Sequence, residues 1–75
     1  MTLVDAELGK EYIVTEISVD DDELIEFLFT LGCYSGEKIT VVSNVSKSFV
    51  VSIKDGRYNL SKDLAETICV TASGN

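Results

Sequence analysis

The chain has no histidine, no proline and no tryptophan, and only six of its 75 residues are basic. Each shortage removes a class of function. Without histidine, the commonest neutral-pH acid/base and the commonest imidazole metal ligand are missing, and no Ser–His or Cys–His nucleophile pair can form. The basic residues Lys10, Lys38, Lys47, Lys54, Arg57 and Lys62 stand singly against 13 acidic ones, for a net charge of −7. Nucleic-acid binding draws most of its non-specific affinity from neutralised phosphates, which an acidic chain without a basic cluster repels. The same repulsion weighs against anionic membrane surfaces. No nucleic acid is expected as a ligand, and no direct membrane insertion.

Long apolar runs are also lacking, since nothing approaches the roughly 18–20 residues that cross a bilayer. The opening Met1-Thr2-Leu3-Val4-Asp5 lacks the basic and apolar regions of a signal peptide, so the expected location is cytoplasmic. Two cysteines, Cys33 and Cys69, lie far apart and outside any Cys-x-x-Cys pair, which favours two small hydrophobes over a disulfide or a metal site. The glycines are scattered and build no phosphate-cradling loop. A chain this short makes one domain, residues 1–75, with little room for a deep, water-excluding cleft. No enzyme activity and no cofactor are expected.

What the chain does carry is a hinge, Leu31-Gly32-Cys33-Tyr34-Ser35-Gly36-Glu37-Lys38-Ile39. Gly32 reads as the left-handed residue that ends a helix, and Gly36 as the positive-φ residue of a turn before a β-rich run. Residues 3–9 form a lead-in that turns at Gly9-Lys10. Residues 12–19 are β-branched and aromatic and predict a strand, with Ile13, Ile17 and Val19 on one parity.

The acidic quartet Asp20-Asp21-Asp22-Glu23 opens a helix running to about Leu31. Asp20 with Glu23 fits a capping box, and carboxylates in a first turn suit the helix dipole. A cation there would face the wrong end of that dipole, and the calcium-loop spacing is absent. Leu24, Phe27, Leu28 and Leu31 fall on one core-facing arc of about 100°. Ile25 and Phe29 lie one turn apart on the adjoining face, either covered by the N-terminal loop or exposed for a partner.

A strand over residues 37–45 follows, with Ile39, Val41 and Val45 facing one way, then a polar turn over residues 44–48. Phe49, Val51 and Ile53 alternate in the next strand, and Lys54-Asp55-Gly56-Arg57 predicts an Asp-Gly hairpin turn. Tyr58 and Leu60 continue a short strand. Residues 61–66 form one helical turn capped by Ser61, residues 67–71 the last strand, and residues 72–75 a loose tail. The expected fold is mainly β: a small SH3-like five-stranded barrel with one inserted α-helix and a one-turn helix before the last strand.

The order of these elements resembles the FeoA family, the small cytoplasmic component of bacterial ferrous-iron uptake. The resemblance covers residues 3–70. It is carried by Leu3 and Gly9, Glu23-Leu24 with Leu28, the Leu-Gly-x-x-x-Gly hinge of Leu31-Gly32 and Gly36, and the closing Leu60, Leu64-Ala65 and Ile68-Cys69-Val70. It departs from the family where Ile25, Glu26 and Phe27 replace the basic residues often found on the helix, and where Ser35 replaces a frequent proline. The resemblance implies an SH3-like, non-enzymatic module that docks on the cytosolic part of a FeoB-like permease and modulates transport or its GTPase cycle, recruited to the inner membrane face by that partner. Ile25, Phe29 and Tyr34 are the expected partner-binding residues, Gly32 and Gly36 the structural hinge, and no residue is expected to ligate metal. Two other readings stay open. One is a metal-sensing or metal-binding domain using Cys33, Cys69 or the acidic quartet. The other is a free-standing interaction barrel unrelated to iron, weakly homo-oligomeric or peptide-binding.

Overall fold

The computed structural model describes residues 1–73. A 3-10 turn at Leu3–Asp5 leads to β1 (Glu11–Ile17), α1 (Asp22–Leu31), β2 (Lys38–Val45), β3 (Ser48–Ile53), β4 (Gly56–Ser61), the one-turn helix α2 (Lys62–Ala65) and β5 (Ile68–Ala72). The strands form one antiparallel sheet in the order β4-β3-β2-β1-β5. The mainly-β character, the inserted helix and the one-turn helix before the last strand match the expectation. The strand ladders of the described residues do not show a closed barrel. β4 and β5 end the sheet on opposite sides without pairing, and α2 connects them along the chain. The Lys62 N–H donates instead to the Lys47 carbonyl at 2.9 Å. Beyond β5, the Met1 carbonyl accepts from the Val70 N–H at 2.9 Å and Thr2 bridges Cys69, so the start of the chain covers that edge.

Two bulges correct the expected facings. In β1 the buried residues are Tyr12 and Val14, not Ile13, and the pairing with β5 shifts between Val14 and Glu16. One extra residue in a strand reverses the parity beyond it, which returns Ile17 to the core side. Val19 lies past the strand end. In β2, Ile39 and Val41 point inward as expected, but a shift between Val41 and Ser43 leaves Val45 70% exposed. β3 has no bulge, and Phe49, Val51 and Ile53 are all buried.

The turns are tighter than the sequence suggested. The β2–β3 turn is confined to Ser46 and Lys47, and the next to Lys54 and Asp55, with positive φ carried by Ser46 and Lys54. Gly56 is not a turn residue: it begins β4 opposite Ile53, and Arg57 sits in β4 opposite Ser52. The last strand reaches Ala72, which pairs with Tyr12, and the Ser73 N–H donates to the Glu11 carbonyl at 3.2 Å. Ala72 is therefore not part of a tail. Gly74 and Asn75 lie outside the described residues.

The core runs from Leu3 and Ala6 through the inner faces of the strands to Ala65, Ile68 and Val70. Buried Tyr12 reaches across it to accept, at its hydroxyl, the Glu7 N–H at 2.9 Å, which ties the N-terminal segment down and satisfies the one polar atom of that ring. α1 is held at both ends. Its cap is Asp21 rather than Asp20: Asp21 has an extended backbone, and its carboxylate accepts from the N–H groups of Glu23 at 3.1 Å and Leu24 at 3.2 Å. At the other end the Gly32 N–H donates to the Phe29 carbonyl (3.0 Å) and the Cys33 N–H to the Leu28 carbonyl (2.9 Å), the paired closure of a Schellman motif.

Only Leu28 on α1 is fully buried. Leu24 and Leu31 are half-buried, and Phe27, expected in the core stripe, is 49% exposed. The helix meets the domain along a narrow line through Leu28, and Phe27 lies about 100° around the axis from it.

At Gly32, φ is +92°, and a β-carbon would lie 3.2 Å from Ile53 Cγ2 and 3.3 Å from Lys54 Cε. Gly36 has φ +95° but faces open space. Gly32→Ala is expected to cost about 2–3 kcal/mol, and Gly36→Ala only the left-handed strain of about 1–2 kcal/mol. Urea unfolding of the two variants checks the order. Equal losses would remove the close packing at Gly32 as a cause.

Candidate docking surface

The Schellman closure determines where the expected partner-binding residues go. Because α1 stops at Leu31 and the chain turns at Gly32, Phe29 on the last helical turn and Tyr34 just after it come face to face. Their ring centroids are 4.8 Å apart and their planes tilt by 33°. Phe29 is 61% exposed and Tyr34 half-buried. Ile25, 36% exposed, lies one helical turn before Phe29 and continues the same ridge, although it does not line the depression beside it.

That depression, of about 580 Å³, opens between the end of α1 and the β3–β4 turn. Phe29, Tyr34 and Tyr58 supply its aromatic walls, with Ile53, Lys54 and Asp55 across from the helix. Tyr58 folds back over Gly56, where any β-carbon would collide with its ring. Lys54 spans the gap. Its ammonium lies 3.3 Å from the Tyr34 hydroxyl, 3.4 Å from Glu37 and 5.6 Å from the centre of the Tyr34 ring. The hydrogen bond to Tyr34, then that to Glu37, raises the lysine pKa above its ordinary value. The contact is solvent-exposed and stabilises weakly, but it joins the hinge to the β3–β4 turn.

Sequence reasoning missed Lys54, Asp55, Tyr58 and Phe27 as surface features. Lys54 and Asp55 read as mere turn residues, and nothing local says that this turn faces the hinge. The two cysteines are unpaired. Cys33 is buried because it is the second residue of the Schellman closure, packed near Leu28, and burial pushes its thiol up to about 11 from 9.0. Cys69 is half-buried on β5. Among the described residues no group of three or more Cys, Asp or Glu is placed to hold one metal ion.

The chain is a small antiparallel β domain with an aromatic-walled depression beside a partly exposed helix. The FeoA domain model matches residues 1–72, and the chain belongs to the FeoA family. Among solved structures it is similar to iron(II) transport protein A from Clostridium thermocellum, with 27% identity and a TM-score of 0.85 over 96% of this chain and 45% of that one. Stenotrophomonas maltophilia FeoA complexed with zinc matches at 22% identity and TM-score 0.84, over 95% of this chain and 89% of that one; it is described as a prokaryotic SH3 domain protein and a candidate ferrous iron transport activating factor. A manganese-dependent transcriptional repressor matches at 19% identity and TM-score 0.84, over 97% of this chain and 41% of that one. The last two likenesses speak for the SH3-like fold alone. The chain spans less than half the length of the first and third. No curated protein matches it significantly.

Two expectations follow. Phe29→Asp leaves the folded spectrum intact and shifts stability by under about 0.5 kcal/mol, as at an exposed site, whereas Leu28→Ala costs about 2–4 kcal/mol. Circular dichroism with urea titration measures both, and unfolding of the Phe29 variant would place that ring in the core. Second, the Cys33 thiol is neutral in both states well below pH 9, but between about 9 and 11 the unfolded chain loses its proton first. Stability should fall over that interval, more steeply than in Cys33→Ala, and at pH 8 iodoacetamide should modify Cys69 well before Cys33. A decline as steep in the variant would mean that other groups cause it.

Proposed function

We propose that this chain is a non-enzymatic accessory module of bacterial ferrous-iron uptake, which docks on the cytosolic part of a FeoB-type permease and modulates its transport or its GTPase cycle. Family membership over residues 1–72 links it to that system. The observation that carries docking as the mode of action is the ridge of Ile25, Phe29 and Tyr34. A domain with so small a core leaves a phenylalanine 61% exposed and stacked on a tyrosine at its surface. No helix of the described residues is long and apolar enough to cross a membrane, so in this reading the partner brings the protein to the inner membrane face. The only arginine, Arg57, is exposed on β4 and does not line the depression, which argues against an arginine finger supplied in trans from it.

An amide-resolved NMR titration with the purified cytosolic portion of the permease from the same organism tests the reading. Shifts clustered at Ile25, Phe29 and Tyr34, and lost with Phe29→Asp, are expected. Absence of shifts at near-millimolar partner, or shifts confined to the opposite side of the sheet, would overturn docking through this ridge.

A further inference from the structure

The apolar ridge does not stand alone on α1. At about 100° per residue, Ile25 and Phe29 share one arc of roughly 100° with Asp22 and Glu26. An apolar row and an acidic row therefore run side by side along the helix, each with the i, i+4 spacing of direct neighbours. All four residues are exposed. α1 contains no lysine or arginine, and like charges one turn apart destabilise a helix. Among the described residues the ion pairs are Lys10–Glu7, Lys38–Glu11 and Lys54–Glu37, so none neutralises this row. At the end of the ridge, the one cation of the depression is already matched by Glu37, and exposed Asp55 adds negative charge to the rim.

From this juxtaposition we infer that the α1 face binds a cationic amphipathic segment of its partner: a bulky apolar side chain enters the depression between Phe29, Tyr34 and Tyr58, and lysines or arginines lie along Asp22 and Glu26. The inference rests on the docking reading of the same surface and specifies the chemistry of what docks. Charge complementarity selects this occupant. A second copy would bring another −7 chain and the same acidic row against the first, and an anionic surface would meet the same repulsion. An uncharged apolar partner would leave Asp22 and Glu26 beside a dehydrated contact without counterions. Steering by the acidic row also makes capture dependent on ionic strength.

The test uses the whole chain and two probe peptides of about four helical turns, one of leucine and lysine in amphipathic spacing and its leucine–glutamate counterpart. In NMR titrations the leucine–lysine peptide should shift Asp22, Ile25, Glu26, Phe29 and Tyr34, and the leucine–glutamate peptide should shift nothing. Raising salt from about 0.05 to 0.3 M should weaken the first complex about tenfold. The double variant Asp22→Asn/Glu26→Gln should weaken it about three- to tenfold, while Asp63→Asn/Glu66→Gln, in α2 and at its C-cap, should leave it unchanged. Equal loss from both double variants, shifts spread over the whole surface, or binding of the acidic peptide would overturn the inference. The two readings also separate. A permease fragment that binds at the ridge indifferently to salt and to the Asp22/Glu26 change defeats the cationic-segment inference and leaves docking standing. Localised, charge-dependent capture of the leucine–lysine peptide with no binding of the permease fragment upholds the inference and moves the partner elsewhere.

Discussion

The short segment from Leu28 to Cys33 holds the rest of the molecule in relation. Leu28 is the only fully buried residue of α1, and its carbonyl receives the Cys33 N–H as the chain reverses at Gly32. That bond closes the helix and buries Cys33 in one step. It also brings the glycine against Ile53 and Lys54 of the β3–β4 turn, a spacing a β-carbon would disturb. α1 turns only a narrow face toward the core. Ile25, Phe27 and Phe29 are exposed as a consequence of that attachment, while Leu24 and Leu31 stay half-buried.

Exposure of this kind is costly in a domain with so small a core, where a few kcal/mol separate folded from unfolded chains. Burying Phe27, Phe29 and Ile25 would each contribute about 1.5–3 kcal/mol in principle. The fold instead leaves them outward and builds a depression beside one end of them, with Lys54 and Glu37 tying its two sides together. What this surface offers is shape, aromatic area and negative charge.

Much of the fold was legible in the residues, and its failures have one cause. β3 was read correctly, face and all, because the extra residue of the β2–β3 slip lies in β2 and leaves the alternation of β3 unbroken. β1 and β2 were read as strands but with wrong facings at Ile13 and Val45, because Thr15 and Val42 sit where the pairing slips, and a slip leaves no local trace in β-branched sequence. Asp21 took the cap from Asp20 for a similar reason: in a run of three aspartates, backbone angle rather than residue type decides which carboxylate reaches the first turn. For the candidate site, Ile25, Phe29 and Tyr34 were accessible from helical periodicity and the hinge. Lys54 and Tyr58 were not, because they are 20 or more positions along the chain from Tyr34 and join it only through the fold.

The amino-acid sequence determined the element order, the hinge at Gly32 and Gly36, the absence of histidine chemistry and the acidic balance, all of which are properties of residue type and short-range spacing. It also carried the ordered pattern that marks the FeoA family. Tertiary structure decided that β4 and β5 stay unpaired across α2, that Phe27 is exposed while Cys33 is buried, and that the β3–β4 turn forms the far wall of the depression. These depend on which distant segments meet, and a bulge or a single buried leucine changes that without altering any local preference.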